Sequence, residues 1–486
     1  MPGKAPLTAI VLSLLLAGCT LGPDYQRPPL ATPAQFKQID GWTLAAPGDA
    51  LARGNWWTLY GDEALNRLVD RLNLSNQNLA AAEAQYRQAR ALARGTRAAL
   101  YPSLSGSAAV SRGGQGAGQS LGAGGSAAAG VVDSYQLSLN AAWELDVWGK
   151  LRRALQVSQA AYQASAADLA ALRLSQQAEL VQNYLQLRVL DEQQRLLEAT
   201  VGAYARSLKL TENQYRAGIV SRSDVSQALT QLRSTEAQAL DLQWQRAQLE
   251  HAIAVLVGVP PSELQIAKQT RLPALPQIPV ALPSQLLERR PDIAAAERRV
   301  MAANAEIGVA EAAWYPDLTL SASGGYRGSS FADWVSLPNR FWSLGPELAL
   351  RLLDGGARRA ELERSEAAYE QTVADYRQTV LSGFREVEDQ LVQLRVLEQE
   401  ARVQQDALDA AREALRLIEN QYKAGTVDFT SVVNVQTTAL DNERSSLTLL
   451  GSRLDASVRL IAALGGGWQT PPASKMEEAR DSVGER

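Results

Sequence analysis

The chain has 486 residues, 46% hydrophobic and 21% charged, and its 48 Lys and Arg against 52 Asp and Glu leave a formal charge of −4. That length holds two or three domain-sized units, and a balanced charge without a basic block lacks the positive footprint that nucleic acid requires. With one Cys and one His in the whole chain, a disulfide framework, a Cys/His metal cluster and paired imidazole catalysis are excluded, so no cofactor, metal site or catalytic residue is expected.

Near the N-terminus, Lys4 precedes an apolar run from Leu7 to Ala17 that ends in Leu16-Ala17-Gly18-Cys19. At about 1.5 Å per residue this run cannot cross a hydrocarbon core of about 30 Å. Residues 1–18 therefore read as a secretory signal peptide. The sole Cys follows two small residues at the point where cleavage would fall, and this resembles a bacterial lipobox. Cys19 is the expected lipid attachment site, and residues 19–61 form a lipidated, extended N-terminal segment. Thr20, in place of Asp, favours sorting to the outer membrane. No later window is apolar enough for a spanning helix.

A first helix is expected from about Glu63 to Leu100, followed by a hairpin over 102–148. In its second strand Tyr135, Leu137, Leu139, Ala141, Trp143, Leu145 and Val147 alternate with Gln136, Ser138, Asn140, Ala142, Glu144 and Asp146. That is the period of a strand with two unlike faces. From about Lys150 to Tyr215 no Pro interrupts a sequence rich in Ala, Gln, Leu, Arg and Glu. At about 1.5 Å per residue it predicts a helix about 100 Å long. The turn at Ala217-Gly218 suits a left-handed C′ glycine, and Ser221 is a candidate N-cap for a returning helix from Arg222 to Leu256.

The pattern then repeats. Tyr101-Pro102-Ser103-Leu104 recurs as Tyr315-Pro316-Asp317-Leu318, Gly149 with Arg152-Arg153-Ala154 as Gly355 with Arg358-Arg359-Ala360, and Tyr215-Arg216-Ala217-Gly218 as Tyr422-Lys423-Ala424-Gly425. The offsets are 214, 206 and 207, and the Gly-rich stretch 112–133 accounts for the extra residues of the first copy. Two equivalent repeats are expected, 62–259 and 292–465. They are joined by a connector, 260–291, that holds seven of the twenty prolines, and followed by a tail, 466–486. The second repeat brings a helix from Asp292 to Ala313 and a hairpin over 315–353. A long helix follows, with a heptad seam at Val373, Val380, Val387, Leu394, Ala401, Leu408, Leu415 and Tyr422. After it come an N-cap at Asp428 and a return from Phe429 to Leu464.

Strands of about ten residues with aromatic ends fit a transmembrane β-barrel, although alone they also suit a small soluble sheet with one wet face. The signal peptide and the charges on the polar face favour the barrel, with Glu144, Asp146, Glu347 and Arg351 facing its lumen. Four strands cannot close a barrel, because known single chains begin at about eight. In lipid an open edge leaves backbone groups unpaired, so the barrel must be shared between chains. Two copies would leave an interior filled by side chains, and three would leave a conduit.

Asn55-Trp56-Trp57 with Asp62 and Leu65, the paired Tyr-Pro strand starts, Trp148-Gly149, the Tyr-x-x-Gly turns and Gly465-Gly466-Gly467-Trp468 resemble the outer membrane factor, or TolC-like outer membrane efflux protein, family. The lipobox and Leu21-Gly22-Pro23-Asp24-Tyr25 resemble its lipoprotein branch, of OprM and NodT type. The resemblance implies a mainly α fold with a membrane β-barrel: a homotrimer whose twelve-stranded barrel continues into a periplasmic α-helical barrel. It implies a passive exit duct for drugs or other small amphiphiles in a tripartite pump. The partners would be outer-membrane lipid, a periplasmic adaptor protein and an inner-membrane transporter of the resistance-nodulation-division class. Carried over by position, the tip residues that dock the adaptor would be Tyr215, Arg216, Gly218, Tyr422, Lys423 and Gly425, and the gate candidates Arg222, Asp224, Asp428 and Asn434. For Asp428 helix capping competes with gating, and for Arg222 and Asp224 a solvated helix surface does. A polypeptide-secretion channel of type I kind is the alternative function, and a coiled-coil envelope scaffold a third. His251, in a helical context, reads as a surface residue.

Overall fold

The computed structural model describes residues 20–30, 33, 35–37, 55–114, 131–269, 272–276, 278 and 290–466. The signal peptide, Cys19, Gly467-Trp468 and the rest of the tail lie outside these residues. Among the described residues the helices are α1 (Glu63–Ser75), α2 (Gln77–Ala98), α3 (Lys150–Arg216), α4 (Arg222–Leu256), α5 (Pro291–Ala312), α6 (Ala357–Lys423) and α7 (Phe429–Ala463), and the strands β1 (Ser103–Gly114), β2 (Val131–Leu145), β3 (Asp317–Gly328) and β4 (Arg340–Ala349). The chain forms two compact units, one of residues 1–28, 86–165 and 296–376 and the other of 29–85, 166–295 and 377–486, so each draws on both repeats.

In the first unit the two hairpins join into one antiparallel sheet in the order β1-β2-β3-β4. Its register keeps the expected alternation across every strand. Leu139 faces Gly106 and Gly324, Ala141 faces Leu104 and Ala322, and Leu344 and Leu348 face Ala322 and Leu318, all on one face. The opposite face aligns Ser105, Asn140, Ser323 and Ser343 in one row, and Ser107, Ser138 and Gly325 in another that ends on Phe341. A one-residue slip would have mixed the two faces. The apolar face is bare: Leu104 is 72% exposed, Val110 73%, Leu139 60%, Trp342 75% and Leu348 67%.

Aromatic rings mark both strand ends. At one end the Trp143 Nε1 donates to the Leu100 carbonyl at 3.0 Å, Trp148 Nε1 donates to the Pro316 carbonyl at 2.9 Å, and Trp148 packs on Tyr315 at 4.8 Å. At the other end Tyr135 meets Phe331 and Trp334 at 5.5 and 6.4 Å. Between Tyr135 and Trp143 the strand rises about 26 Å, close to the ~25 Å apolar band of outer-membrane barrels.

The second unit is a helical bundle with a small apolar cluster at Leu190, Leu197, Ala239, Leu242 and Leu440 and one main core. Trp56, Leu65, Leu72, Leu180, Leu187, Val387, Leu391, Leu454 and Ile461 are fully buried in it or nearly so. The long helices α3 and α6 are 67 residues each, and the returning helices α4 and α7 are 35 each. On the α6 seam Val380, Val387, Leu394 and Leu408 are buried, while Val373, Ala401, Leu415 and Tyr422 are half-buried.

Three expectations need correction. The helix read from Glu63 to Leu100 is two helices, broken at Asn76, whose ψ is 125°. Tertiary contacts cause the break. The Asn76 side chain caps α2 by accepting the Leu79 amide at 2.9 Å and donates to the Leu256 carbonyl at 2.7 Å, while Ser75 Oγ donates to the Val257 carbonyl at 2.7 Å. The C-terminus of α4 thus meets the N-terminus of α2. Close approach requires Gly258, whose φ is +71° and where a Cβ would stand 2.1 Å from the Ser75 carbonyl oxygen. In the second repeat Arg290 fills this place, donating to the Ala463 carbonyl at 3.1 Å.

The other two corrections concern strand ends. Pairing stops at Leu145 and at Ala349, so neither Asp146 nor Arg351 lies on a barrel strand. Asp146 instead starts α3, accepting the Leu151 and Arg152 amides at 2.9 and 3.0 Å and the Arg152 Nε at 3.0 Å. Asp354 does the same for α6 through the Arg358 amide at 3.3 Å and its Nε at 2.6 Å.

Replacing Asn76 by Ala removes a cap and strands the buried Leu256 carbonyl, so Asn76→Ala is expected to cost about 1–3 kcal/mol. Asn76→Asp, which keeps the acceptor only, should fall between. Chemical unfolding midpoints check this, and an unchanged midpoint for the alanine variant would contradict the break's tertiary origin.

Candidate functional site

Two regions carry the features of a conduit: the polar face of the sheet and the turns that end the long helices. The polar face is built mainly from small hydroxyl and amide side chains. Ser107 and Ser138 share a hydrogen bond at 2.8 Å, as do Ser323 and Ser343. Gln136 Oε1 accepts from Arg327 at 3.0 Å. Of the lumen candidates, Glu144 accepts from Lys150 Nζ at 3.2 Å, and the same ammonium reaches Asp317 at 2.8 Å. Glu347 lies opposite Thr319 on this face and is exposed. Asp146 and Arg351 stand outside it, as described above.

Each helix turn is closed by the same local chemistry. Gly218 and Gly425 both have φ of +74°, a conformation glycine adopts without steric cost. The Ile219 amide then reaches the Gln214 carbonyl at 2.9 Å and the Thr426 amide the Gln421 carbonyl at 3.0 Å. These six-residue closures satisfy carbonyls that the helix end would otherwise leave open.

The caps that follow the two turns differ in chemistry. Ser221 caps α4 in a capping box with Asp224, whose carboxylate accepts the Ser221 amide at 2.8 Å. Asp428 caps α7, accepting the Ser431 amide at 3.0 Å and the Ser431 hydroxyl. The Ser431 hydroxyl and then its amide hold the Asp428 carboxyl below its usual value. Both acidic gate candidates are therefore turned back onto their own helices. Arg222 and Asn434 are exposed.

Of the tip candidates, Tyr215, Arg216 and Lys423 are exposed at the helix ends, and Tyr422 is half-buried. Tyr422 stacks on Phe429 at 5.6 Å and donates to Gln214 Oε1 at 2.8 Å, and burial pushes its hydroxyl pKa up, so it stays a neutral donor. This bond joins the two turns. Further along, Thr430 Oγ1 donates to Gln227 Oε1 at 3.3 Å, and Gln231 Nε2 to Thr437 Oγ1 at 3.2 Å. Gln214, Gln227, Thr430 and Thr437 are not singled out by the sequence. Neutral Gln and Thr on helices carry little local signal, although Gln214 does recur as Gln421 at the offset of 207.

Cys19 lies outside the described residues, but the segment after it is held firmly. The Leu21 amide donates to the Trp148 carbonyl at 3.2 Å. Arg153 donates to the carbonyls of Leu21 and Gly22 at 2.8 and 3.0 Å. Asn304 Nδ2 donates to the Pro23 carbonyl at 2.8 Å, and Tyr25 to Glu297 at 3.3 Å.

The family model described as "Outer membrane efflux protein" matches residues 68–259 and 282–466. The chain is 34% identical to the pyoverdine export outer membrane protein OpmQ of Pseudomonas aeruginosa over 96% of this chain and 97% of that one. It is 31% identical to the solvent efflux pump outer membrane protein SrpC of Pseudomonas putida, over 94% and 97%. The solved structure of the outer-membrane channel OprN superposes with a TM-score of 0.86 at 31% identity, covering 93% of this chain and all of that one. A bare apolar sheet face, a polar face behind it and long paired helices thus coincide with relatives that are efflux channels, and the chain belongs to the outer membrane efflux protein family.

Proposed function

We propose that three copies of this chain close one twelve-stranded barrel and that the assembly is the passive exit duct of a tripartite pump for small amphiphilic compounds. The observation that carries this reading is the four-stranded sheet with one apolar, exposed face and two edge strands, β1 and β4. In lipid each unpaired backbone group costs several kcal/mol, so the edges must meet other strands. Because each copy contributes an even number of alternating strands, every junction of β4 with a neighbour's β1 is antiparallel, like the pairings within the chain. Twelve strands leave a wet lumen where eight would be filled, and the rows of Ser, Asn and Thr suit that lumen.

An adaptor protein opens the duct at the turns around Gly218 and Gly425, and an inner-membrane transporter of the resistance-nodulation-division class supplies the energy and selects the cargo. Relatives named for pyoverdine and for solvents support a duct indifferent to what passes. The neutral bonds between the turns, Tyr422 to Gln214 and Thr430 to Gln227, support a closure that separates without breaking ion pairs. Arg216 and Lys423 stand where an adaptor would dock, and Arg222, Asp224, Asp428 and Asn434 line the constriction. Cys19, next in sequence to the clamped segment 20–25, carries the lipid.

Purified protein in a planar lipid bilayer should show discrete conductance steps, and a non-conducting assembly would overturn the duct. Asp224→Asn combined with Asp428→Asn keeps the helix starts capped while removing two charges per copy. The pair is expected to shift cation selectivity or unit conductance, and traces matching the parent would remove both residues from the constriction. The Asp428 cap contributes stability above the ordinary aspartate pKa and loses it as pH falls through the lowered one. Hydrogen exchange in the first turn of α7 should therefore stay slow at neutral pH and accelerate only in strong acid, whereas Asp428→Asn should remove that acid step. Cys19→Ser should abolish lipid labelling, and labelling that persists would place the anchor elsewhere.

A further inference from the structure

The outward face of the sheet carries a cation that the duct does not use. The helices join the sheet at the Ser103, Leu145, Asp317 and Ala349 ends of the strands, so with the helices in the periplasm the opposite ends lie in the outer leaflet. Arg340 opens β4 at such an end and pairs with Tyr326, which pairs in turn with Leu137. That row belongs to the apolar face and lies two residues, about 7 Å, inside the row of Tyr135. Arg340 is exposed, and neither its guanidinium nor the Tyr326 hydroxyl has a partner among the described residues. Asp133, an acid of the same face, is already held by Arg112 at 3.4 Å. A cation on the lipid face of a barrel is destabilising away from the interface. An anion from outside the chain would offset that cost.

Beside the cation the face is hollow. A groove of about 950 Å³ crosses all four strands, with Leu137, Leu139, Tyr326 and Trp342 in its walls and Arg340 at its outer rim. Gly106 and Gly324 stand opposite Leu139 in one row and put no side chain into it. Neither glycine is demanded by the backbone, since neither has a positive φ. Nor does packing demand them: a Cβ at Gly106 would meet Leu139 at 3.5 Å, and one at Gly324 nothing nearer than 3.8 Å. Two glycines that the chain itself does not require keep this groove open.

We propose that the groove seats a phosphate-bearing, multiply acylated glycolipid of the lipid A class, whose phosphate meets Arg340 and Tyr326 and whose acyl chains lie over Gly106 and Gly324. The inference rests on the reading of the sheet as part of a membrane barrel. Charge complementarity argues for this occupant. A guanidinium presents a planar fork that fits a phosphate with two parallel hydrogen bonds, and the Tyr326 hydroxyl adds a donor directly across the strand pair. The walls below these donors are apolar, as acyl chains require. Depth selects the lipid, because the leaflet at this end of an outer-membrane barrel is built of phosphorylated, multiply acylated glycolipid. Joining β4 to a neighbour's β1 leaves the groove on the outside, so each copy supplies one site.

The test uses the full-length assembled protein in detergent, titrated with diphosphoryl lipid A and read by native mass spectrometry. One lipid per copy should bind, at least about tenfold more tightly than phosphatidylglycerol. Arg340→Gln should weaken binding at least about tenfold, and Arg340→Lys, which keeps the charge but loses the fork, should fall between. Gly324→Leu fills the groove without touching the cation and should weaken binding at least about threefold. Equal binding by the parent and Arg340→Gln would overturn the proposal, since the guanidinium would then only reach out to the interface. Equal affinity for phosphatidylglycerol, or displacement of lipid A by millimolar inorganic phosphate, would contradict it as well. Conductance in planar bilayers is read in parallel. Steps that persist while lipid binding fails refute the groove and leave the duct, whereas a parent protein that does not conduct refutes the duct itself.

Discussion

Among the described residues, backbone amides and carbonyls along the outer sides of β1 and β4 have no strand beside them, while the sheet they bound turns a bare apolar face outward. Water would tolerate the first condition and resist the second, and lipid would do the reverse. A surface that satisfies both is a closed sheet in a membrane, made from more than one copy. The rest of the architecture is consistent with that constraint. Aromatic rings sit at both strand ends, polar rows line the other face, and Asp146 and Asp354 convert strand into helix within a few residues.

Duplication shapes the helices in the same way. Long helices of equal length and returning helices of equal length place the turns, caps and glycines of the two repeats in register. The copies then diverge where each meets a different neighbour. Asn76 joins the end of α4 to the start of α2 through an amide, whereas Arg290 makes the corresponding joint through a guanidinium held by Asp292 and Glu386 at 2.6 and 2.7 Å.

Much of this is legible in the sequence, because strand alternation, heptad spacing, turn glycines and N-caps are local signals. The starts of α4 and α7 follow from Ser221 and Asp428 acting through their own helices. The break at Asn76 is not legible, since it depends on a carbonyl 180 residues away. Alternation alone carries Asp146 and Arg351 onto strands because it continues past the last residue that has a pairing partner, and only the sheet's register ends it.

Closure between copies can be measured directly at the edges. A Cys introduced on β1 at Ser103, Ser105 or Ser107, combined with Ser343→Cys on β4, should at one of these registers give disulfides between chains and a ladder that ends at three. A ladder ending at two, or a conducting protein whose β1 and β4 crosslink only within one chain, would contradict the account.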